Sequence, residues 1–310
     1  MNTPTKLGAY VLGLAVVFAG ALGVGRLAGP LGAQGTARAH GHEARTAEHH
    51  DGGPPLPGGL QISQNGYTLV PHSDPLRAER RGELRFAVHG PDGRPVTRFA
   101  TIHDKPLHLI VVRRDLRNYR HLHPRMDSQG TWSVPLALPD PGPYRVFADF
   151  RPQEAAEQLT LGMDLTVPGD YRPQEPPPAE RTATVDGYRV TLTGALVPGR
   201  PGRLTLSVSR DGEPVTDLEP YLGAYGHLVA LRGGDLAYLH VHPDGGTGAG
   251  PDIAFHAEAP GAGAYRLYLD FKHRGKVRTA EFTVVAGPDA AAPSARPAPP
   301  DDGHDHAHGH

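Results

Sequence analysis

Short segments of alternating apolar and polar residues, or of several apolar residues in a row, recur along most of the chain. Leu84–Val88, Leu107–Val112, Tyr119–His123, Trp132–Leu138 and Tyr144–Phe150 have the length and the β-branched and aromatic content of strands. Clusters such as Pro91-Asp92-Gly93 and Asp140-Pro141-Gly142 lie between them and supply turns. Only Leu7–Gly25 is an apolar stretch of convincing helical length. The pattern predicts an all-β body behind an N-terminal membrane helix or signal peptide.

The second half of the chain repeats the first. Gly66-Tyr67 matches Gly187-Tyr188, and Pro95-Val96-Thr97 matches Pro214-Val215-Thr216. Tyr144–Phe150 matches Tyr265–Phe271 residue for residue in character. A period of ~120 residues is too long for a solenoid and suits a tandem pair of immunoglobulin-like or cupredoxin-like β-sandwiches. The expected organisation is a signal-anchor or signal peptide over 1–29 and a His, Gly and Pro-rich spacer over 30–57. Sandwich domain 1 follows over 58–169, a Pro-rich linker over 170–180, domain 2 over 181–286, and a His-rich tail over 287–310.

Composition narrows the chemistry. With 31 basic and 33 acidic residues and a formal charge of −2, the chain lacks an electrostatic footprint for nucleic acid. There are 0 cysteines, which excludes disulfides, thiolate metal sites and a blue-copper centre. Met126 and Met163 are the only methionines after the first residue, so a thioether-rich Cu(I) site is not expected either. The N-terminal apolar stretch, cleaved or not, places the body outside the cytoplasm, secreted or tethered by one span.

Against this background the histidines stand out. His108, His121 and His123 recur as His227, His240 and His242 at unchanged internal spacing, each trio followed by proline (Pro124, Pro243). Histidine is the commonest side-chain metal ligand near neutral pH, and residues i and i+2 of a strand share a face. Joining Leu107–Val112 to Tyr119–His123 through a six-residue hairpin loop pairs Ile110 with His121 and His108 with His123, within reach of one ion. In domain 2 a four-residue loop, Arg232–Asp235, would pair Leu231 with Leu236 and His227 with His240. In Tyr238-Leu239-His240-Val241-His242 the apolar pair takes the core face, leaving the imidazoles at an accessible surface or a domain junction. Each domain is thus expected to present a divalent metal site for Cu(II) or Zn(II). Asp149 and Asp270, at matching positions, would fill a further coordination place or orient a ligand. Neutral imidazole is the binding form, so affinity should fall as pH drops through ~6.5.

Other histidines carry less. His304, His306, His308 and His310 in the tail suit weak metal gathering, as do His40, His42, His49 and His50. Cleavage after Ala39 would expose His40-Gly41-His42, an amine, amide and imidazole set suited to Cu(II) or Ni(II). His72, His89, His103, His256 and His273 have no counterpart in the other repeat and read as ordinary, with His103 and His256 the nearest to accessories.

Tyr221–His227, followed by Tyr238–Pro243 and by Gly275–Ala280, resembles a module of bacterial secreted and membrane-anchored proteins described as heavy-metal or copper associated. In domain 1, Lys105-Pro106-Leu107 replaces the Gly-Ala-x-Gly approach to the first histidine, and the likeness is weaker. The resemblance implies an extracytoplasmic β-sandwich that binds metal, and supplies no established activity. Small periplasmic copper-resistance β-proteins are a more distant analogy, in architecture and imidazole ligation. The expected function is copper or zinc sequestration, buffering or delivery, with the metal ion and a metal transporter or other envelope protein as partners, and the membrane contacted through the N-terminal helix. The alternative is a non-catalytic envelope interaction module with structural histidines. No nucleophile elbow or cofactor fingerprint occurs, so no enzyme activity is expected.

Overall fold

The computed structural model describes residues 56–239, 241–245 and 248–287. The N-terminal segment, most of the spacer, His240 and the tail histidines lie outside them. Among the described residues the regular elements are strands, and no helix is long and apolar enough to cross a membrane.

The first half supplies β1 (Ser63–Gln64), β2 (Tyr67–Pro71), β3 (Arg81–His89), β4 (Leu107–Arg113), β5 (Arg120–Leu122), β6 (Arg125–Met126), β7 (Thr131–Ala137), β8 (Gly142–Phe150) and β9 (Leu159–Val167). They form two antiparallel sheets ordered β1-β2-β3-β7-β6 and β5-β4-β8-β9. The second half supplies β10 (Thr182–Val185), β11 (Tyr188–Thr193), β12 (Pro201–Arg210), β13 (Glu213–Pro214), β14 (Gly226–Arg232), β15 (Val241–Pro243), β16 (Asp252–Glu258), β17 (Gly263–His273) and β18 (Lys276–Ala286). Here the sheets run β10-β11-β12-β16-β15, with β13 beside β12, and β14-β17-β18. Leu84, Phe86 and Trp132 meet Leu109, Val146 and Phe150 in the first core. Leu206 and Phe255 meet Leu228, Leu267 and Phe282 in the second.

A third apolar cluster joins the two sandwiches, and strand periodicity explains it. Along β4, Leu107, Leu109 and Val111 enter the domain 1 core, so His108, Ile110 and Val112 point the other way. Along β14, Leu228 and Ala230 enter the domain 2 core, so His227, Val229 and Leu231 point outward. Those outward faces meet: Ile110, Val112 and Phe147 pack with Val229, Leu231 and Tyr268. Tyr119 and Tyr268 stack across the junction with ring centroids 4.0 Å apart. Each such fully buried apolar side chain contributes roughly 1.5–3 kcal/mol. Sheets covered on both faces explain why β4 is buried along its whole length.

The chain before β1 seals one side of the junction. Gly58 pairs with Tyr238, and the Gly59 carbonyl accepts from Arg145. Gly59 has φ +75, and a Cβ there would lie 2.3 Å from the Phe147 ring, so only glycine fits. Residues beyond β9 are also tied down, since the Gln174 amide donates to Asp115 in the β4–β5 loop.

The domain 1 hairpin has the expected register, with Ile110 opposite His121. The domain 2 hairpin does not. Leu231 faces Tyr238, two residues beyond the expected Leu236. Arg232 donates its amide to the Ala237 carbonyl and pairs its guanidinium with Asp235, which enlarges the loop. The Arg113–Asp115 pair organises the domain 1 loop in the same way. Parity is kept, so the histidine face is preserved.

Candidate metal centre at the domain junction

His108, His121 and His227 converge where the two sandwiches meet, each offering a ring nitrogen within 4.8 Å of the others. Two come from domain 1 and one from domain 2, so this cluster is shared across the junction, an arrangement that the repeated trios leave open beside one site per domain. His108 sits on β4 and is 1% exposed. His121 arrives on β5, and His227 on β14. His123 adds a fourth ring, its centroid 5.1 Å from His108 and 4.8 Å from His121.

The hydrogen bonds set the direction of each ring. His108 Nε2 donates to the Ile102 carbonyl at 2.9 Å. His121 Nδ1 donates to Asp270 Oδ2 at 2.8 Å, across the junction. Neutral rings so oriented carry lone pairs on His108 Nδ1 and His121 Nε2, and these two atoms lie 3.1 Å apart. Two facing lone pairs in a buried site repel unless a cation lies between them. Among the described residues, His227 Nδ1 and His123 Nε2 are buried without a hydrogen-bond partner. Leaving such atoms unsatisfied costs about 1–3 kcal/mol each.

Electrostatics favours the neutral form of His108, His123 and His227. Burial above all, with His121 as a like-charged neighbour, lowers His108 to about 4 against the backbone bond that opposes it. Burial lowers His123 to about 3, again with His121 contributing next. His227 is held well below the usual imidazole range by burial, then by His121 and His108. For these three, proton competition therefore begins below the ~6.5 expected of free histidine. Burial pushes the nearby Tyr221 phenol up to about 12, so it stays neutral.

The donor set fits a borderline divalent ion. Metal–nitrogen bonds of ~2.0–2.1 Å in a tetrahedral site place ligand nitrogens roughly 3.3 Å apart. The His108–His121 pair is already near that spacing at 3.1 Å, and the His227 ring has only to move inward. Asp270 plays the orienting role, accepting from His121 on one oxygen and from Thr279 on the other. Asp149, opposite His108 in the β4–β8 ladder, instead accepts from Gln158 and Thr160.

Of the remaining expected ligands, His242 lies on β15 in the other sheet, opposite His256, exposed and bordering a small cavity beside His227. His240 and the four tail histidines lie outside the described residues. His273 is bound between Tyr188 and Asp217 and has a structural role. His103, which the repeat marks as ordinary, stands beside the cluster, its centroid 5.7 Å from His227 and 5.9 Å from His108. The signal that could have found it is its place in the turn leading into β4, five residues before His108.

The sequence matches the family described as "Domain of unknown function (DUF8832)" twice, over residues 62–169 and 183–287. No curated protein matches the chain. Among solved structures the chain is similar to the Escherichia coli adhesin FdeC, at 13% identity and a TM-score of 0.24, over 73% of this chain and 65% of that one. Salmonella alpha-2-macroglobulin reacted with methylamine is similar at 13% identity and a TM-score of 0.26, over 76% of this chain and 16% of that one. Invasin, a bacterial integrin-binding protein, is similar at 11% identity and a TM-score of 0.20, over 70% and 38%. The chain thus spans less than two thirds of each of these structures.

Proposed function

The chain belongs to the family described as Domain of unknown function (DUF8832), as a tandem pair of its domains, and we propose that the pair holds one divalent metal ion between its two members. His108, His121 and His227 are the ligands, and Asp270 orients His121. The ion is Cu(II) or Zn(II), for which imidazole is a suitable donor. The protein acts outside the cytoplasm, held by its N-terminal apolar segment or secreted, and sequesters, buffers or delivers the metal to a transporter or other envelope protein. The resemblance to copper-associated secreted modules, and an immunoglobulin-like or cupredoxin-like class for each sandwich, belong to the same reading.

The observation that carries this reading is the opposition of two ring nitrogens at 3.1 Å whose partner nitrogens are both committed as donors. A proton on His121 would also relieve that pair, which is how a purely structural cluster would work. It would leave His227 Nδ1 and His123 Nε2 without partners among the described residues.

The test is a chelator-competition titration of the full chain with Zn(II) and Cu(II), beside His121→Ala and His227→Ala. The His-rich ends are common to all three proteins, so the difference reads the cluster. One tight equivalent, lost in both variants while circular dichroism keeps its β signature, supports the reading. Equal binding by all three sinks it and leaves the histidines as scaffolding.

A further inference from the structure

An ion bound at the junction has to reach a buried site. The Tyr119–Tyr268 stack belongs to the apolar cluster of the junction, and Tyr221 stands 6.5 Å from the His121 and His123 rings. Beside His227 there is a cavity of about 30 Å³, bordered by His103, Asp149, Gln158, Tyr238 and His242. A space of this size holds a water or two and does not admit a divalent ion with its whole hydration shell. An ion entering here exchanges water for protein ligands.

His103 is placed for that exchange. It is half-buried, and its ring lies at nearly equal distance from His227 and His108. It occupies a tight turn closed by the Ile102–Lys105 bridge, with φ 45 at His103 and φ 62 at Asp104. Left-handed backbone at two successive non-glycine residues is strained, and such strain persists only where the surroundings hold it. The Ile102 and Lys105 backbone groups bond each other in both directions, and His108 Nε2 adds a bond to the Ile102 carbonyl immediately before His103. The equivalent turn of domain 2, closed by the Tyr221–Ala224 bridge, carries Leu222 at this place, buried and without a donor. The imidazole is therefore a feature of one repeat only.

We propose that His103 is the exchange ligand of the junction site, taking a divalent ion from solvent and passing it to His227, His108 and His121. This rests on the metal-binding reading above. A transient ligand speeds capture and release alike, so it changes rates and leaves the equilibrium constant alone.

The experiment is rapid mixing of the full chain with Co(II), followed by its absorption on binding, then by release into excess chelator. His103→Asn keeps a residue tolerant of left-handed backbone and removes the imidazole. Expected are association and release both slowed at least tenfold, with equilibrium affinity within threefold of wild type. His121→Ala, by contrast, should lose affinity. Unchanged rates in His103→Asn overturn the proposal, and so does a hundredfold loss of affinity, which would make His103 a resident ligand. Failure of the wild type itself to bind Co(II) removes the metal reading and this proposal with it, an outcome distinct from the other two.

Discussion

The two repeats present the same face to each other and contribute unequally to what lies between. In domain 1, β5 stays paired with β4, so His121 remains over the junction and His123 stays beside it. In domain 2, Tyr238 and Leu239 still pair with β14, and the chain reaches the other sheet at β15, where His242 lies opposite His256. Asp270 accepts from His121 across the junction, and Asp149, at the matching position, accepts from Gln158 and Thr160. The turns differ by His103 against Leu222. Duplication thus built a nearly symmetric apolar interface and, among the described residues, a polar cluster to which domain 1 gives two of the three converging ring nitrogens.

The largest effect should come from breaking the interface itself. Tyr268→Ala removes one member of the stacked pair and its bond to the Leu116 carbonyl. Unfolding midpoints in urea should show a loss of about 3–5 kcal/mol, the usual cost of deleting a buried aromatic ring. A loss below about 1 kcal/mol would mean that the sandwiches hardly depend on each other. Next comes the shared character of the site. His227→Ala, although it changes only domain 2, should weaken metal binding at least ~100-fold, or about 2.7 kcal/mol. Full-strength binding retained on domain 1 alone would restore the view of one site per domain.

The pH dependence of the metal-free protein follows. His108 is buried neutral with its pKa lowered to about 4, whereas the unfolded chain takes up the proton near ~6.5. Stability is therefore full above ~6.5 and falls as pH drops toward about 4. His108 alone should remove about 2 kcal/mol between pH 6.5 and 5, read as a drop in the urea midpoint. A flat profile would show the cluster to be open to solvent. A smaller effect sharpens the comparison of aspartates. Asp270→Asn should cost roughly 10–100-fold in metal affinity by releasing His121, and Asp149→Asn much less. Comparable losses from both would argue for a second site. Smallest of all, His242→Ala should leave affinity within about threefold, since its strand has joined the outer sheet.

Much of this was written in local pattern. Alternation along Leu107–Arg113 and Gly226–Arg232 already divides core residues from the face carrying His108 and His227, because a strand sends successive side chains to opposite sides. The register of the first hairpin followed from loop length, and the tandem repeat from residue identities. The second hairpin pairs two residues further along than its spacing predicts, since the bond from the Arg232 amide to the Ala237 carbonyl is a matter of loop conformation.

What the tertiary structure alone decided is the meeting of the two faces. His121 and Asp270 are 149 residues apart, and nothing in either strand's periodicity names the other as a partner. Likewise, the crossing of β15 to the outer sheet and the arrival of His103 beside His227 depend on how loops close and how two sandwiches dock. Periodicity fixes which way a side chain points because it is a property of the backbone repeat. What that side chain meets is settled by packing between distant segments, where no local rule reaches.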